Sequence, residues 1–267
     1  MGNPLLRPLV PLVLSLCLGV GCVRAPPPMA PYATGGVAQA QQSGGQLVGA
    51  IGGSTDVWTS QSLSASVDGR LKLGTHFDLG LGGAYGSGGL PKTWAGRFSP
   101  RWYTNDLDAP LAIAMELGLS AGQYEGGGVR ISSTQQAVPR FRVDFGSVDL
   151  PIRFGAAVDP AWEIFWSIGP YVSFAGPHAC PSGAVESLSC SSGLLYNGGV
   201  LSDVGVQWTH SSGVTVGAQG NWTAGYAPTL LGLNTSAGAT LTAGYRFGYV
   251  PHVSRVSREE PESYRQP

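Results

Sequence analysis

The chain has 267 residues, of which 43% are hydrophobic and only 12% are charged, and its formal net charge is -1 at pH 7. This charge content is low for a water-soluble protein, and the near-zero balance lacks the basic field that nucleic-acid binding requires. The 41 glycines and 20 prolines argue against a helical protein, because both residues destabilise helix interiors. The composition therefore favours an all-β protein.

Residues 1–21 have the pattern of an export signal. Arg7 supplies the short positive region, residues 9–20 form the apolar core, and small residues precede the predicted processing site. Pro11 interrupts the apolar run, which is also too short for a helix that spans a membrane. We therefore predict a signal peptide that directs the chain out of the cytoplasm.

The segment 18–22, Leu-Gly-Val-Gly-Cys, resembles the processing box of bacterial lipoproteins, in which the cysteine becomes the lipid-bearing N-terminus. The match is incomplete, because Gly19 stands where leucine is usual. Two interpretations stay open: Cys22 is lipidated, or an ordinary signal peptide is cut somewhat later. Residues 22–45 are rich in Pro, Gly, Ala, Gln and Ser, and this composition predicts a flexible linker.

From residue 46 onward, apolar and polar residues alternate. Between residues 62 and 74, for example, Val67 and Leu71 alternate with Asp68 and Arg70, which gives a strand with one apolar and one charged face. The pattern recurs and predicts ten strands, over 46–58, 62–74, 76–86, 92–104, 110–123, 140–158, 161–176, 194–209, 213–227 and 235–250.

The sixth predicted strand carries an irregularity. Its apolar phase changes between Phe145 and Val148, and a β-bulge near Gly146 absorbs the extra residue in this interpretation. The prediction places Phe145 on the outward face and Asp144 on the inward face.

Short turns and longer connections alternate along the predicted strands. In bacterial barrels the short turns face the periplasm and the long loops face outside. Trp94 and Trp102, near opposite ends of one apolar stripe, lie about 26 Å apart at the usual strand rise, which suits an apolar band about 25 Å tall on a tilted strand. The alternative is the aromatic core of a soluble sandwich. We predict an all-β, transmembrane, antiparallel up-and-down β-barrel of about ten strands (eight to twelve) over 46–250, followed by a polar tail, 251–267.

Two segments resemble known outer-membrane proteins. Thr242, Gly244, Phe247 and Tyr249 match the outer-membrane β-signal, which in that family is read by the barrel assembly machinery. Residues 149–155 and 166–174 resemble a strand pair of small bacterial outer-membrane barrels of the opacity and porin-T-like type. The resemblance implies the outer membrane of a Gram-negative bacterium, with outer-membrane lipid around the barrel and the assembly machinery as a partner during biogenesis. It implies no particular function.

The inward positions of the predicted strands carry charges of both signs. Enclosed opposite charges are expected to pair, because a desolvated, unmatched charge costs several kcal/mol. We interpret them as a network that plugs the lumen; the alternative is a selectivity filter, which would more naturally carry one dominant sign. The predicted network consists of Asp68, Arg70, Lys72, Asp78, Arg97, Arg101, Glu116, Arg153, Glu163, Asp203 and Arg246.

Two cysteines, Cys180 and Cys190, lie in the mature fold beyond the export signal. In an oxidising compartment they are predicted to form a disulfide, which would stabilise its loop by roughly 3 kcal/mol on the chain-entropy model. The alternative, a metal site that includes His178, lacks a fourth ligand and a C-x-x-C spacing. We therefore predict no metal and no other cofactor.

One motif has the spacing of a catalytic site. His210-Ser211-Ser212 matches the His-x-Ser spacing of barrel lipid A deacylases, in which the imidazole activates the hydroxyl. No acidic residue follows on the next predicted strand, so a polar hairpin turn is the alternative. We expect a non-enzymatic structural or surface-interaction role, with an extracellular ligand that the sequence does not identify. The alternatives are a narrow pore for small solutes and, third, a lipid-modifying enzyme.

Overall fold

The computed structural model describes residues 36–56, 61–88, 92–104, 111–126, 141–176, 195–227 and 232–249. A short helix, α1 (Val37–Gln41), precedes the sheet. The strands are β1 (Gly45–Asp56), β2 (Gln61–Lys72), β3 (Phe77–Gly88), β4 (Lys92–Tyr103), β5 (Leu111–Glu116), β6 (Gly118–Gly126), β7 (Phe141–Asp149), β8 (Ile152–Ala157), β9 (Trp162–Ala175), β10 (Leu195–Thr209), β11 (Val214–Ala227) and β12 (Gly232–Phe247). No helix of this described part is long and apolar enough to cross a membrane.

The strands close into a barrel. Every pairing is antiparallel, and β12 returns to pair with β1, from Gly45 opposite Phe247 to Asp56 opposite Ser236. β5 and β6 are two halves of one long strand, and β7 and β8 are two halves of the next, because the pairing of β5 with β8 continues the register of β6 with β7. The sheet is thus a closed antiparallel barrel of ten strands, as predicted.

Prolines explain the two interruptions. Proline has no N–H to donate to a sheet, but its carbonyl still accepts. Leu117 donates its N–H to Pro100 O, Glu116 to Pro151 O and Leu150 to Pro170 O, each at 3.0 Å. The sheet therefore continues through these positions without an inserted residue.

The bulge predicted near Gly146 is wrong. β6 and β7 pair without a break from Gly118 opposite Asp149 to Gly126 opposite Phe141. Phe145 points inward and is only 4% exposed, whereas Asp144 is exposed. The outward position at Gly146 is covered by Phe174, whose ring would lie 2.5 Å from an added Cβ. Phe145 on the inner face and Gly146 on the outer face reverse the usual order of apolar and small residues, and this made the alternation look as if it changed phase.

The outer wall of the barrel is apolar and the interior is polar. Leu63, Leu71, Leu81, Val204 and Leu241 are each more than half exposed on the outside, while the inward positions carry serine, glutamine and charged residues. A water-soluble protein has the opposite distribution. This outer wall fits hydrocarbon, and the closed sheet satisfies the backbone hydrogen bonds that lipid cannot.

Aromatic side chains mark both ends of the apolar wall. At one end Tyr85 lies opposite Trp94. At the other end the rings of Phe77 and Trp102 lie 5.3 Å apart. Such rings prefer the headgroup level of a bilayer, so the two belts bound the span. The end with the short turns 73–76, 158–161 and 210–213 is called the turn end below; in bacterial barrels this end faces the periplasm.

Candidate functional site

The interior of the barrel contains a cluster of buried charges. Lys72 is half-buried at the end of β2, and the other ten side chains of the predicted network are at most 8% exposed. Asp149, 2% exposed, also belongs to this cluster, although it was not among the predicted members. Its inward phase, four residues before Arg153, is the signal that identifies it.

Glu116 is the centre of this cluster. Its Oε2 accepts from Arg101 Nη2 and Arg153 Nε, each at 2.9 Å, and lies 3.0 Å from Arg70 Nη2. Its Oε1 accepts from Arg97 Nη2 at 3.0 Å. Glu116 itself is fully buried. One carboxylate therefore holds four guanidinium groups from β2, β4 and β8.

Further carboxylates complete the coordination of these arginines. Asp149 accepts two hydrogen bonds from Arg97, at 2.6 and 2.7 Å, in the bidentate arrangement that matches the two planar groups. Asp78 accepts from Arg70 Nη1 at 2.9 Å and from the hydroxyl of Tyr103 at 2.6 Å. Each of these pairs compensates a charge that burial alone would make costly.

The network crosses the lumen from wall to wall. Arg70 on β2 contacts Glu116 on β5, Glu116 contacts Arg153 on β8, and Arg153 Nη1 reaches Asp203 on β10 at 3.4 Å. Ser167 Oγ donates to the same Asp203 oxygen at 2.6 Å. Two further strands separate β2 from β5 in the sheet, and β9 separates β8 from β10. The side chains therefore form a bar across the interior.

Helix α1 lies in the mouth of the barrel at the turn end. Val37 and Ala38 are buried together with Tyr103, Ala112 and Ala114 in an apolar cluster. Ser43 closes the helix, since its Oγ donates to Ala40 O at 3.0 Å.

Polar side chains of the barrel wall hold the backbone of this segment. Ala38 N donates to Glu163 Oε1 and Gly36 N donates to Gln207 Oε1, each at 2.6 Å. Arg246 Nη2 donates to Gly36 O at 3.3 Å, and Lys72 Nζ donates to Gln41 O. Residues 36–45 of the predicted linker are therefore ordered. Their composition suggested flexibility, whereas here side chains of the barrel wall bind their backbone groups.

The chain turns across the same mouth after β12. The last strand was predicted to reach residue 250 but ends at Phe247, because Gly248 adopts a left-handed conformation with φ of 61°, which glycine tolerates. Tyr249 then donates its hydroxyl to Pro160 O at 2.8 Å, and burial raises the pKa of Tyr249. Of the other β-signal residues, Thr242 and Gly244 lie on the inward phase of β12 and Phe247 faces outward.

The His-x-Ser motif forms a turn between β10 and β11. His210 Nδ1 lies 2.9 Å from Ser212 Oγ and accepts the N–H of Ser212 at 3.2 Å. Gly213, with φ of 94°, completes the hairpin. The motif therefore has local hydrogen bonds that stabilise a polar turn at the turn end.

Four predicted features lie outside the described residues. They are the signal peptide, 1–21, the lipidation of Cys22, the disulfide between Cys180 and Cys190, and the polar tail, 251–267. All four stay predictions.

The distribution of polarity decides the class of protein: charged residues are buried inside a closed antiparallel sheet, and large aliphatic residues are exposed outside it. The chain is an outer-membrane β-barrel. No protein-family model matches this outer-membrane barrel, and no curated protein matches it.

Several solved structures are similar to this outer-membrane barrel. The attachment invasion locus protein Ail of Yersinia pestis is 12% identical, over 76% of this chain and 97% of that chain, with a TM-score of 0.36. The outer membrane protease OmpT of Escherichia coli is 11% identical, over 76% of this chain and 94% of that chain, with a TM-score of 0.38. The β-domain of the Bordetella autotransporter BrkA is 10% identical, over 77% of this chain and 100% of that chain, with a TM-score of 0.47. At these identities the similarity concerns the fold alone.

Proposed function

We propose that this protein is a non-enzymatic outer-membrane anchor with a closed lumen, which holds its long outer connections at the cell surface for structural or binding purposes. The observation that carries the proposal is the bar of paired charges from Arg70 through Glu116 and Arg153 to Asp203. A barrel of about eight strands is filled by its own side chains, and ten strands are only slightly wider.

The charge balance supports closure over selective transport. Among the residues that the structure describes, the buried interior holds six carboxylates, five arginines and, at its edge, the half-buried Lys72. A filter for ions more naturally presents a ring of one sign, and arginines held by hydrogen bonds to two or more carboxylates are not free to exchange with a passing solute. Arg97, for example, is bound by both Asp149 and Glu116.

Conductance tests this proposal. The refolded mature protein, with insertion verified by heat-modifiable gel mobility, is expected to give no discrete current steps in a planar bilayer. A variant that removes the centre of the bar, Glu116→Ser, is the matched comparison, because it shows whether the recording detects an opened lumen of this width. Discrete steps from the unmodified protein would instead establish the narrow-pore function.

A further inference from the structure

We infer that the turn-end mouth of the barrel is a peptide-binding site whose occupant is residues 36–43 of the same chain. This inference deepens the proposed closed lumen and rests on it, since it names a second closure below the bar of charges. The occupant is held at both ends of α1: Glu163 and Gln207 bind the N–H groups of Ala38 and Gly36, and Lys72 binds the carbonyl of Gln41.

The barrel wall supplies the receptor side of this site. Glu163 lies on β9 and is fully buried, Gln207 lies on β10 and is 2% exposed, and Arg246 lies on β12 and is 1% exposed. Three separate strands thus direct buried polar groups toward one backbone segment. Each of the three side chains makes a hydrogen bond to the backbone of the segment, and hydrogen bonds that involve a charged group contribute more to stability than those between neutral groups.

The site also selects the residues of its occupant. A Cβ added to Gly36 would collide with the carboxylate of Glu163, and a Cβ added to Gly155 would collide with the same carboxylate and lie 2.8 Å from Ala38 N. At both positions glycine lets the backbone approach the carboxylate without displacing it. The next residue, Val37, fits the cluster of Tyr103 and Ala112. The site accepts a glycine followed by two apolar residues, which in this chain are Gly36, Val37 and Ala38.

Thiol labelling in the full mature chain tests this inference. Val37→Cys places a thiol in the site, and Thr75→Cys, on an exposed turn at the same end, reports unhindered access; Cys22, Cys180 and Cys190 are replaced by serine. A charged, membrane-impermeant thiol reagent is expected to modify Val37→Cys much more slowly than Thr75→Cys. Adding Glu163→Ala is expected to raise the rate at Val37→Cys about tenfold or more, because a hydrogen bond to a charged group is lost.

Two matched variants serve as controls. Glu163→Gln keeps an acceptor oxygen for Ala38 N and is expected to raise the rate less than Glu163→Ala. Asp144→Asn removes an exposed carboxylate at the opposite end of the barrel and is expected to leave the rate unchanged. If Glu163→Ala does not refold to a heat-modifiable form, Gly155→Ala displaces the segment by crowding and gives the same readout.

Equal labelling of Val37→Cys and Thr75→Cys in the otherwise unmodified barrel would overturn the inference, and so would an unchanged rate in both Glu163→Ala and Gly155→Ala. These outcomes are separate from the test of the lumen, because labelling needs no current. A conducting barrel with a protected Val37→Cys overturns only the closed lumen. A barrel that gives no current steps but has a reactive Val37→Cys overturns only the peptide site.

Discussion

Replacing Glu116 by glutamine is expected to destabilise the barrel more than any other single isosteric change in the charged cluster. The substitution keeps the volume of the side chain but removes the charge that faces four arginines. Glutamine keeps one acceptor oxygen, but its NH2 group then faces guanidinium donors, and the four arginines lose the negative charge that they share. Removing one partner from a buried ion cluster typically costs about 3–5 kcal/mol.

Asp149→Asn provides the internal comparison. Asp149 binds Arg97, which retains its hydrogen bond to Glu116 at 3.0 Å after the change. The loss is therefore expected to resemble that of hydrogen bonds to one charged group, about 1.5–3 kcal/mol. The two variants differ in how many guanidinium groups lose a partner, and this difference sets the expected order.

Unfolding by urea in lipid vesicles, followed by the fluorescence of the seven tryptophans, measures both losses. The midpoint should fall in the order unmodified protein, Asp149→Asn, Glu116→Gln, with similar slopes. Asp144→Asn, an exposed change, should leave the midpoint in place. If Glu116→Gln unfolds at the midpoint of the unmodified protein, or above that of Asp149→Asn, Glu116 is not the centre of the cluster.

The remaining predictions concern the mouth of the barrel. Gly155→Ala is expected to lower the free energy of unfolding by about 1–3 kcal/mol, because its Cβ crowds Glu163; an unchanged urea midpoint would contradict this. Burial raises the pKa of Tyr249 above its ordinary value of 10.0, so its hydrogen bond to Pro160 is fully present below pH 10 and is lost as the pH rises through the raised pKa. The tyrosinate absorbance of the unmodified protein minus that of Tyr249→Phe should therefore have its midpoint above pH 10; a midpoint at or below this value would refute the assignment.

The barrel was predictable from the sequence because its determinants are local. Each strand needs only its own alternation of residues, and Leu71 beside Arg70 already shows which side meets lipid and which side meets the lumen. The same alternation predicted which charged residues face the lumen. Glu116 was identified as an inward residue, but its central place was not predictable, because it depends on arginines from three strands at one height.

Non-local contacts explain what the sequence did not reveal. Ala38 meets Glu163 across 125 residues, and nothing in a Gly-Ala-Gln segment indicates such a partner. Phe145 was placed on the wrong face for a related reason: an aromatic residue usually marks the lipid side, and only the packing of Phe174 over Gly146 shows why the bulky side chain turns inward.

The bar of charges also constrains how the protein can enter a bilayer. Its members are spread from Arg70 to Asp203 along the chain, and the seam between the first and last strands forms only when residues 45 and 247 meet. A half-inserted sheet would expose guanidinium groups to hydrocarbon before their counterions arrive, at a cost of several kcal/mol for each. Insertion is therefore expected to be concerted, so that the arginines pair with their carboxylates during insertion and not after it.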